Sequence, residues 1–396
     1  MRIAIFSDNF YPELSGISDS IIQLARELSK LNHAICFFAP KYSKRNYAIV
    51  KRPATELDLG KKIKIKRFFS FGFPSPTKQA RLVIPGAWRW LSVKAFKPDI
   101  IHSQLFFGVG LEGLLAAKLL SRPIIGTNHT RIKEFLKAGY LSYQWLGRIS
   151  TRYLNWYYNQ CDYVTAPAQS FLDEMLANGL TASSQSISNS VDMKIFNTLN
   201  QIDRPAIKRK YNLSKFVVVY AGRLAFEKNI DVIIRAIKIV KQDFSEINLG
   251  LAGHGQAEES LKGLVGELGL NENVKFLGTL NHHDLAELYR SADVFTIAST
   301  SEVQSLTIIQ AMACGLPAIG VNCNSIPELI KSDNGLLFKP GDYEDLAGRI
   351  VEILSNTDLQ QRLGQGAINF VPRFSAANIA KQWVKLYSEV IEKYNK

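Results

Sequence analysis

Four short stretches of this 396-residue chain carry side chains whose type and spacing suit chemistry at the ends of strands. In "SEVQSLTIIQAMACGLP", Glu302 and Gln304 lie in a polar loop, and Ser305, Leu306 and Thr307 stand where an apolar helix begins. The free N–H groups of a helix start favour an anion such as a phosphate. Glu302 is an acceptor-only group, suited to the hydroxyl hydrogens of a sugar ring. Gln310 follows about a turn and a half into the helix, flanked by Ile309 and Ala311. Either it is a core amide with its own hydrogen bond, or it reaches the same pocket as Glu302. "AGRLAFEKN" sets Gly222, Arg223 and Lys228 after an apolar run. Two cations beside a glycine turn suit a diphosphate, because Arg forks onto oxygens while Lys acts as a mobile point charge. A pair of surface cations is the plain alternative. In "LAGHGQ", Gly253 and Gly255 permit close backbone approach to a ligand or an ordinary tight turn. "GTNHTRIKEF" places His129 just after a strand, where a structural histidine competes with a ligand contact.

These residues need a scaffold that brings strand ends together. "RIAIFSD" is an apolar run ending in a polar turn, as in a buried parallel strand, and "ISDSIIQLARELSKL" has helical spacing. Further strands are expected in "AICFFAP", "DIIHSQ", "PIIGTNH", "CDYVTAPA" and "SQSISNSVD", with a helix in "GLEGLLAAKLL". A second α/β alternation has its strands in "FVVVYAGR", "INLGLAG", "VKFLG", "DVFTIAS" and "PAIGVN". The fold class expected is α/β, with two Rossmann-like, doubly wound domains facing a cleft. The divisions expected are an N-terminal domain over 1–196, a polar, proline-containing linker over 197–214, and a C-terminal domain over 215–372. A long amphipathic helix over 373–396 is expected to return to the first domain.

The net charge of +13 is concentrated between residues 41 and 97, which hold 15 Lys and Arg against two Asp and Glu. Within that segment Lys61, Lys62, Lys64, Lys66, Arg67 and Arg89 alternate with Ile, Phe and Trp, including Trp88 and Trp90. A solvated face and a nucleic-acid surface are alternatives, but no nucleic-acid module accompanies the charge. An anionic membrane surface is the favoured partner, since each basic side chain near such a leaflet contributes roughly 1 kcal/mol. Tryptophans can seat in the interface. The opening residues do not read as a signal peptide, and no stretch approaches the roughly 18 apolar residues of a membrane span. Cys36, Cys161, Cys314 and Cys323 have no metal-ligand spacing and are read as reduced thiols. Peripheral attachment to the inner face of the cell membrane, from the cytoplasm, is the expectation.

Taken together and in order, "YPELSG", "IHSQ", "TNHT", "SNSVD", "GRLAFEKN", "GHG" and "SEVQSLTIIQAMACGLP" resemble the family 4 retaining glycosyltransferases over nearly the whole chain. That resemblance implies the GT-B fold and a nucleotide-sugar donor, a UDP-sugar in the first instance. It assigns Glu302 and His129 to the donor sugar, and Arg223, Lys228 and the amides after Glu302 to the diphosphate. It assigns Gln310 to the ribose hydroxyls and Gly16 to the N-terminal turn that closes on the phosphates. Catalysis is expected from Arg223, Lys228, His129 and Glu302, with no cofactor and no essential metal. The chain departs from the family pattern with Gln310 for a glutamate, and with Ser15, Ser190 and Ser305 at three glycine positions. "SEVQSLT" and "HTRIKEFLKAGY" are further similar to the branch that glycosylates diacylglycerol.

The resemblance implies retention of configuration, with the leaving phosphate taking the acceptor proton. Diphosphate charge would be met electrostatically, since no carboxylate in these motifs is placed as a covalent nucleophile. Two other readings share the donor site: transfer to a soluble or polyprenyl-linked saccharide, and a catalytically weak nucleotide-sugar-binding membrane adaptor. A Rossmann oxidoreductase is disfavoured by the missing G-x-G-x-x-G after the first strand.

Overall fold

A computed structural model describes the chain except residues 14, 51, 74–78, 87, 132–143 and 200–201, and the side chains of 144–148. The part of "HTRIKEFLKAGY" from residue 132 onward therefore lies outside the described residues. The chain forms two units, Met1–Ser190 together with Ala376–Lys396, and Val191–Ser375.

Unit 1 begins with β1 (Arg2–Phe6), buried from Ile3 onward, as a strand covered on both faces must be. It continues through α1 (Gly16–Lys30), β2 (Ala34–Pro40), α2 (Lys44–Ile49), β3 (Ile63–Phe68) and a two-residue hairpin of β4 (Phe71–Gly72) and β5 (Arg81–Leu82). Then come α3 (Trp90–Phe96), β6 (Ile100–Ser103), α4 (Gly108–Leu120), β7 (Ile124–Thr127), α5 (Gln144–Tyr158), β8 (Tyr163–Ala166), α6 (Gln169–Ala177) and β9 (Ser184–Ser186). Its sheet runs β3-β2-β1-β6-β7-β8-β9, and every pair is parallel. The order reverses at β1, so the crevice beyond its carboxyl end is where this kind of sheet takes ligands.

Unit 2 repeats the plan. It holds α7 (Arg204–Lys210), β10 (Phe216–Ala221), α8 (Ile230–Val240), β11 (Ile247–Ala252), α9 (Glu258–Glu267), β12 (Val274–Gly278), α10 (His282–Ser291) and β13 (Val294–Ile297). These are followed by α11 (Leu306–Ala313), β14 (Ala318–Val321), α12 (Ile326–Leu329), β15 (Gly335–Phe338), α13 (Tyr343–Leu354) and α14 (Thr357–Phe370). The sheet order is β12-β11-β10-β13-β14-β15, again all parallel, with the switch at β10.

The last helix, α15 (Ala376–Tyr394), belongs to unit 1. It buries Ile379, Ala380, Trp383, Leu386, Tyr387 and Val390, a three-and-four spacing that lines one face, and shares a core with Ile21, Leu24 and Leu28 of α1.

Two segments carry structure that their polarity concealed. Residues 204–210, within the stretch read as a linker, are helical because Asp203 caps Ala206 and a proline sits in the first turn. The lysine-rich run 63–68 is the edge strand β3, where alternation places Ile63 inward and Lys64 outward. Lysines on an edge strand also discourage pairing with another chain.

Candidate functional site

In unit 2 the loops leaving β10 and β11 stack on each other. Gly222 N–H donates to Ala252 O, and Leu224 N–H to His254 O, both at 3.0 Å. Gly253 has φ +147°, and a Cβ there would stand 1.8 Å from the carbonyl oxygen of Gly222; one on Gly255 would stand 2.1 Å from Leu224 O. These two glycines let the loops touch each other, which accounts for them without a ligand. Gly222 is also left-handed, at φ +150°.

The two cations of the β10 loop are held by different carboxylates. Arg223 Nη2 lies 2.7 Å from Glu227 Oε1, with its side chain 42% exposed. Lys228 Nζ lies 2.6 Å from Glu302 Oε1, and both side chains are largely covered. Burial alone would raise the Glu302 carboxyl, but the Lys228 ammonium beside it, the Ser299 hydroxyl and the charge of Arg223 outweigh that and hold it below its usual range. Glu302 is therefore an ionised carboxylate clamped to one ammonium, the arrangement that keeps a buried charge tolerable.

The loop before Glu302 is fixed by side chains from other elements. Asn229, left-handed at φ +49° before α8, donates Nδ2–H to Ala298 O at 3.1 Å and Thr300 Oγ1 at 3.3 Å. Asn324, also left-handed, donates to Thr300 O, and the buried Ser325 hydroxyl donates to Glu302 O at 3.2 Å. At the start of α11, Ser305 occupies the N-cap position with φ −85° but forms no side-chain cap. Its buried hydroxyl turns to Thr307 Oγ1 at 3.1 Å. The first turn of α11 thus has no side-chain cap from Ser305, and it begins four residues after Glu302 in sequence. The adjacent Gln304 is half-buried.

Gln310 is half-buried, and among the described residues no hydrogen bond to its carboxamide occurs. The serines at family glycine positions fit their backbones. Ser305 has negative φ, Ser15 is extended, and Ser190 is not left-handed. Ser15 caps α1 by accepting from Ser18 N–H at 3.1 Å, and its own hydroxyl donates to Asn9 Oδ1 at 2.6 Å. Ser190 N–H donates to Ser20 Oγ at 3.1 Å. Each replaces glycine without backbone strain.

In unit 1, Gly16 is the exposed first residue of α1, at the switch strand's loop. His129 follows β7, and its Nε2 lies 2.7 Å from Gln104 Oε1. Burial pushes its imidazole down to about 3, so the ring is neutral at ordinary pH. Two carboxyls near the β1 loop shift the other way. Asp8 accepts from Val109 N–H at 2.7 Å and Gly110 N–H at 3.2 Å at the start of α4; burial raises it to about 6 against those bonds. Burial also raises Glu13 to about 7, while Tyr42 Oη, donating to it at 3.1 Å, opposes the shift.

The basic segment divides into inward and outward groups. Arg67 forks onto Glu56 with two 2.7 Å bonds and also donates to Tyr11 O and Pro40 O. Arg89 pairs with the buried Glu112 at 3.1 Å, and Lys66 donates to Ser92 O at 2.9 Å. These three hold the fold. Lys61, Lys62 and Lys64 are exposed, Trp88 is 70% exposed, and Trp90 is half-buried under Lys94. Around them Phe69, Phe71, Phe73, Leu82, Ile84 and Leu91 are exposed apolar side chains that the charge count does not reveal.

Glu227, Asn229, Asn324, Ser325 and Gln104 were not singled out from sequence as site residues. The asparagines left a faint signal, because a left-handed non-glycine residue is most often Asn. Gln104 left none, since its partner comes from tertiary contact, while Glu227 stands four residues after Arg223 and that spacing alone could have suggested the pair.

Two doubly wound parallel sheets, one carrying paired cations and an uncapped helix start at its switch point, define a transferase of the GT-B class. Residues 14–194 match the Glycosyltransferase Family 4 model and residues 203–370 the Glycosyl transferases group 1 model, and the chain belongs to the family 4 glycosyltransferases. It is 28% identical over 99% of its length to an alpha-monoglucosyldiacylglycerol synthase of Streptococcus pneumoniae, covering 86% of that protein. It is 25% identical over its full length to the enzyme of that name from Acholeplasma laidlawii, covering 99% of it. The crystal structure of Anabaena HepE in complex with UDP superposes with a TM-score of 0.78 at 20% identity, over 98% of this chain and all of that one.

Proposed function

We propose that this glycosyltransferase moves a hexose, with retention of configuration and without a metal, from a UDP-sugar to a lipid acceptor of the diacylglycerol class at an anionic membrane surface. The observation that carries the donor half is the Lys228–Glu302 pair, which joins the loops after the neighbouring strands β10 and β13, the second of them leading into the first turn of α11 without a Ser305 cap. In this reading the amides of Leu306 and Thr307, with Arg223 and Lys228, take up the charge that grows on the leaving diphosphate. A diphosphate oxygen competes for the Lys228 ammonium, while Glu302 turns its free acceptor capacity to a sugar hydroxyl. Gln310 accepts from a ribose hydroxyl, and His129 meets the donor sugar. The leaving phosphate takes the acceptor proton as the acceptor oxygen attacks from the same face.

Support for the acceptor comes from the two full-length relatives named as monoglucosyldiacylglycerol synthases and from the exposed lysines and apolar side chains between residues 61 and 91. None of the described helices is long and apolar enough to cross a membrane, so attachment in this reading is peripheral, on the cytoplasmic leaflet.

The test is nucleoside-diphosphate release from a panel of UDP- and GDP-sugars with no acceptor, with neutral vesicles, and with anionic vesicles containing diacylglycerol. Release from one UDP-sugar only in the last case is expected. Lipid-independent release would replace the lipid with a soluble glycan or water. Vesicle binding with no release from any donor would favour the adaptor reading.

A further inference from the structure

Behind His129 lies a chain of buried polar groups that ends on the C-terminal helix. Tyr387 Oη of α15 is 2.7 Å from His102 Nδ1, and His102 Nε2 is 2.7 Å from Thr127 Oγ1, which meets Thr165 Oγ1 at 2.6 Å. Gln104 Nε2 lies 3.0 Å from His102 Nε2 and 3.2 Å from Nδ1, and Gln104 Oε1 faces His129 Nε2 at 2.7 Å. The Trp383 ring, one turn before Tyr387, lies 4.3 Å from the His102 ring. His102, Gln104, Thr127, Thr165 and Tyr387 are all buried.

The chain has a direction. His102 is neutral, because burial and then the neighbouring His129 push it down to about 3. A neutral imidazole offers one acceptor nitrogen, and the Gln104 amide nitrogen, 3.0 and 3.2 Å from the two ring nitrogens, faces that ring whichever of them carries the lone pair. That leaves the Gln104 carbonyl oxygen toward His129, and a carbonyl oxygen only accepts. The proton of His129 is therefore on Nε2, and Nδ1 carries the lone pair. Nδ1 is buried and has no partner among the described residues. Buried polar atoms are rarely left unpaired, so this one points to a ligand.

We propose that Tyr387, His102 and Gln104 form a positioning relay that holds His129 in its Nε2–H tautomer, so that Nδ1 accepts a hydroxyl hydrogen of the donor sugar. The proposal rests on the assignment of His129 to the donor sugar under Proposed function. It makes α15 part of the donor site from a distance, and gives His129 to a hydroxyl rather than to a phosphate oxygen, which offers no hydrogen. The other titratable groups packed nearby are Tyr158, whose hydroxyl donates to Thr127 O at 3.1 Å, and the Arg131–Glu174 ion pair at 3.2 Å. Neither contributes to the downward shift of His129, which burial causes.

The test combines a spectroscopic readout with kinetics on the full chain. Nitrogen-15 NMR of histidine-labelled protein is expected to show His129 as the Nε2–H tautomer, assigned with His129→Ala. Gln104→Ala and Tyr387→Phe are expected to give a mixture of tautomers. They should lower kcat for UDP release from UDP-glucose, with diacylglycerol vesicles, by about tenfold for Gln104→Ala and less for Tyr387→Phe. Affinity for UDP alone, which lacks the sugar, should not change. Gln104→Glu sets a carboxylate against the Nε2–H, raises the His129 pKa, and should add an acid limb to the rate profile that the native enzyme lacks. An Nδ1–H tautomer in the native protein, or an unchanged tautomer in both Gln104→Ala and Tyr387→Phe, would overturn the relay whatever the activities. Full activity in His129→Ala would instead overturn the assignment of His129 to the sugar, and the positioning role with it, even with the tautomers as expected.

Discussion

The charged donor-site candidates of unit 2 are held in ion pairs, whereas His129, the donor-sugar candidate of unit 1, is a neutral group held by burial. Lys228 and Glu302 share a 2.6 Å contact and Arg223 and Glu227 one of 2.7 Å, all within loops pinned by glycine and asparagine. His129 and its supports carry no charge and are fixed by hydrogen bonds running from β6 to α15. Under the proposed function, the contrast follows the chemistry asked of each half. A leaving diphosphate needs preorganised positive charge, whereas orienting a sugar needs acceptors and donors of fixed direction.

The sharpest way to break the comparison is to remove the central charge. Lys228→Ala is expected to lower kcat by on the order of a hundredfold to a thousandfold, the range seen when one preorganised stabiliser is lost. It also leaves Glu302 buried beside no ammonium, so a fall in Tm should accompany the rate loss. If both stay near native, paired charge is not what unit 2 contributes.

Next in size is the packing beneath the charges. Gly253→Ala drives a Cβ to within 1.8 Å of Gly222 O at a φ of +147°. Strain of about 1–3 kcal/mol is expected, read as a lower urea midpoint with weaker UDP binding. Gly263→Ala is the control: its Cβ would meet nothing within 4 Å, and alanine favours the helix.

The pH dependence of stability sharpens the contrast in unit 1. His102 and His129 fall from 6.5 to about 3 on folding, so the unfolded chain binds their protons first. Their contribution is present above about pH 6.5 and is lost as pH falls toward 3. Asp8, raised to about 6, and Glu13, raised to about 7, act oppositely: their contribution is present below the ordinary carboxylate range and is lost as pH rises through those values. The two pairs partly cancel in the native protein. Asp8→Asn with Glu13→Gln should unmask the histidines, so that urea midpoints measured from pH 7 to pH 4.5 fall more steeply than in the native chain.

The smallest effect expected is a gain. Gln310→Glu places a charged acceptor at a half-buried position whose carboxamide has no hydrogen bond among the described residues. UDP affinity should rise by roughly 1–2 kcal/mol, between about fivefold and thirtyfold in Kd by calorimetry. No gain would take Gln310 out of the ribose contact.

Much of this arrangement was legible in the chain. The apolar runs that became β1, β10 and β11, and the helical spacing of α1, are local patterns that survive tertiary packing because central parallel strands must be apolar on both faces. The candidates after β7, β10 and β13, namely His129, Arg223, Lys228 and Glu302, were identifiable because each follows an apolar strand pattern directly in sequence. The strand β3 was hidden inside a charge pattern, since Lys64 and Lys66 alternate with isoleucines as readily on an edge strand as on a membrane surface. Arg67 and Arg89 looked like surface cations, and turned inward to the Tyr11 and Pro40 carbonyls and to Glu112 because an arginine stem and fork can satisfy several acceptors at once.

By itself, then, the sequence determined the two α/β alternations, the chemical types at the strand ends and the family they resemble, all of which depend on residues near one another along the chain. Only the tertiary structure decided partners. Lys228 meets Glu302 across 74 positions and Tyr387 meets His102 across 285. The physical reason is strand order: β10 pairs with β13 and α15 returns to unit 1 through long-range packing, and no local spacing encodes which strand ends will lie side by side.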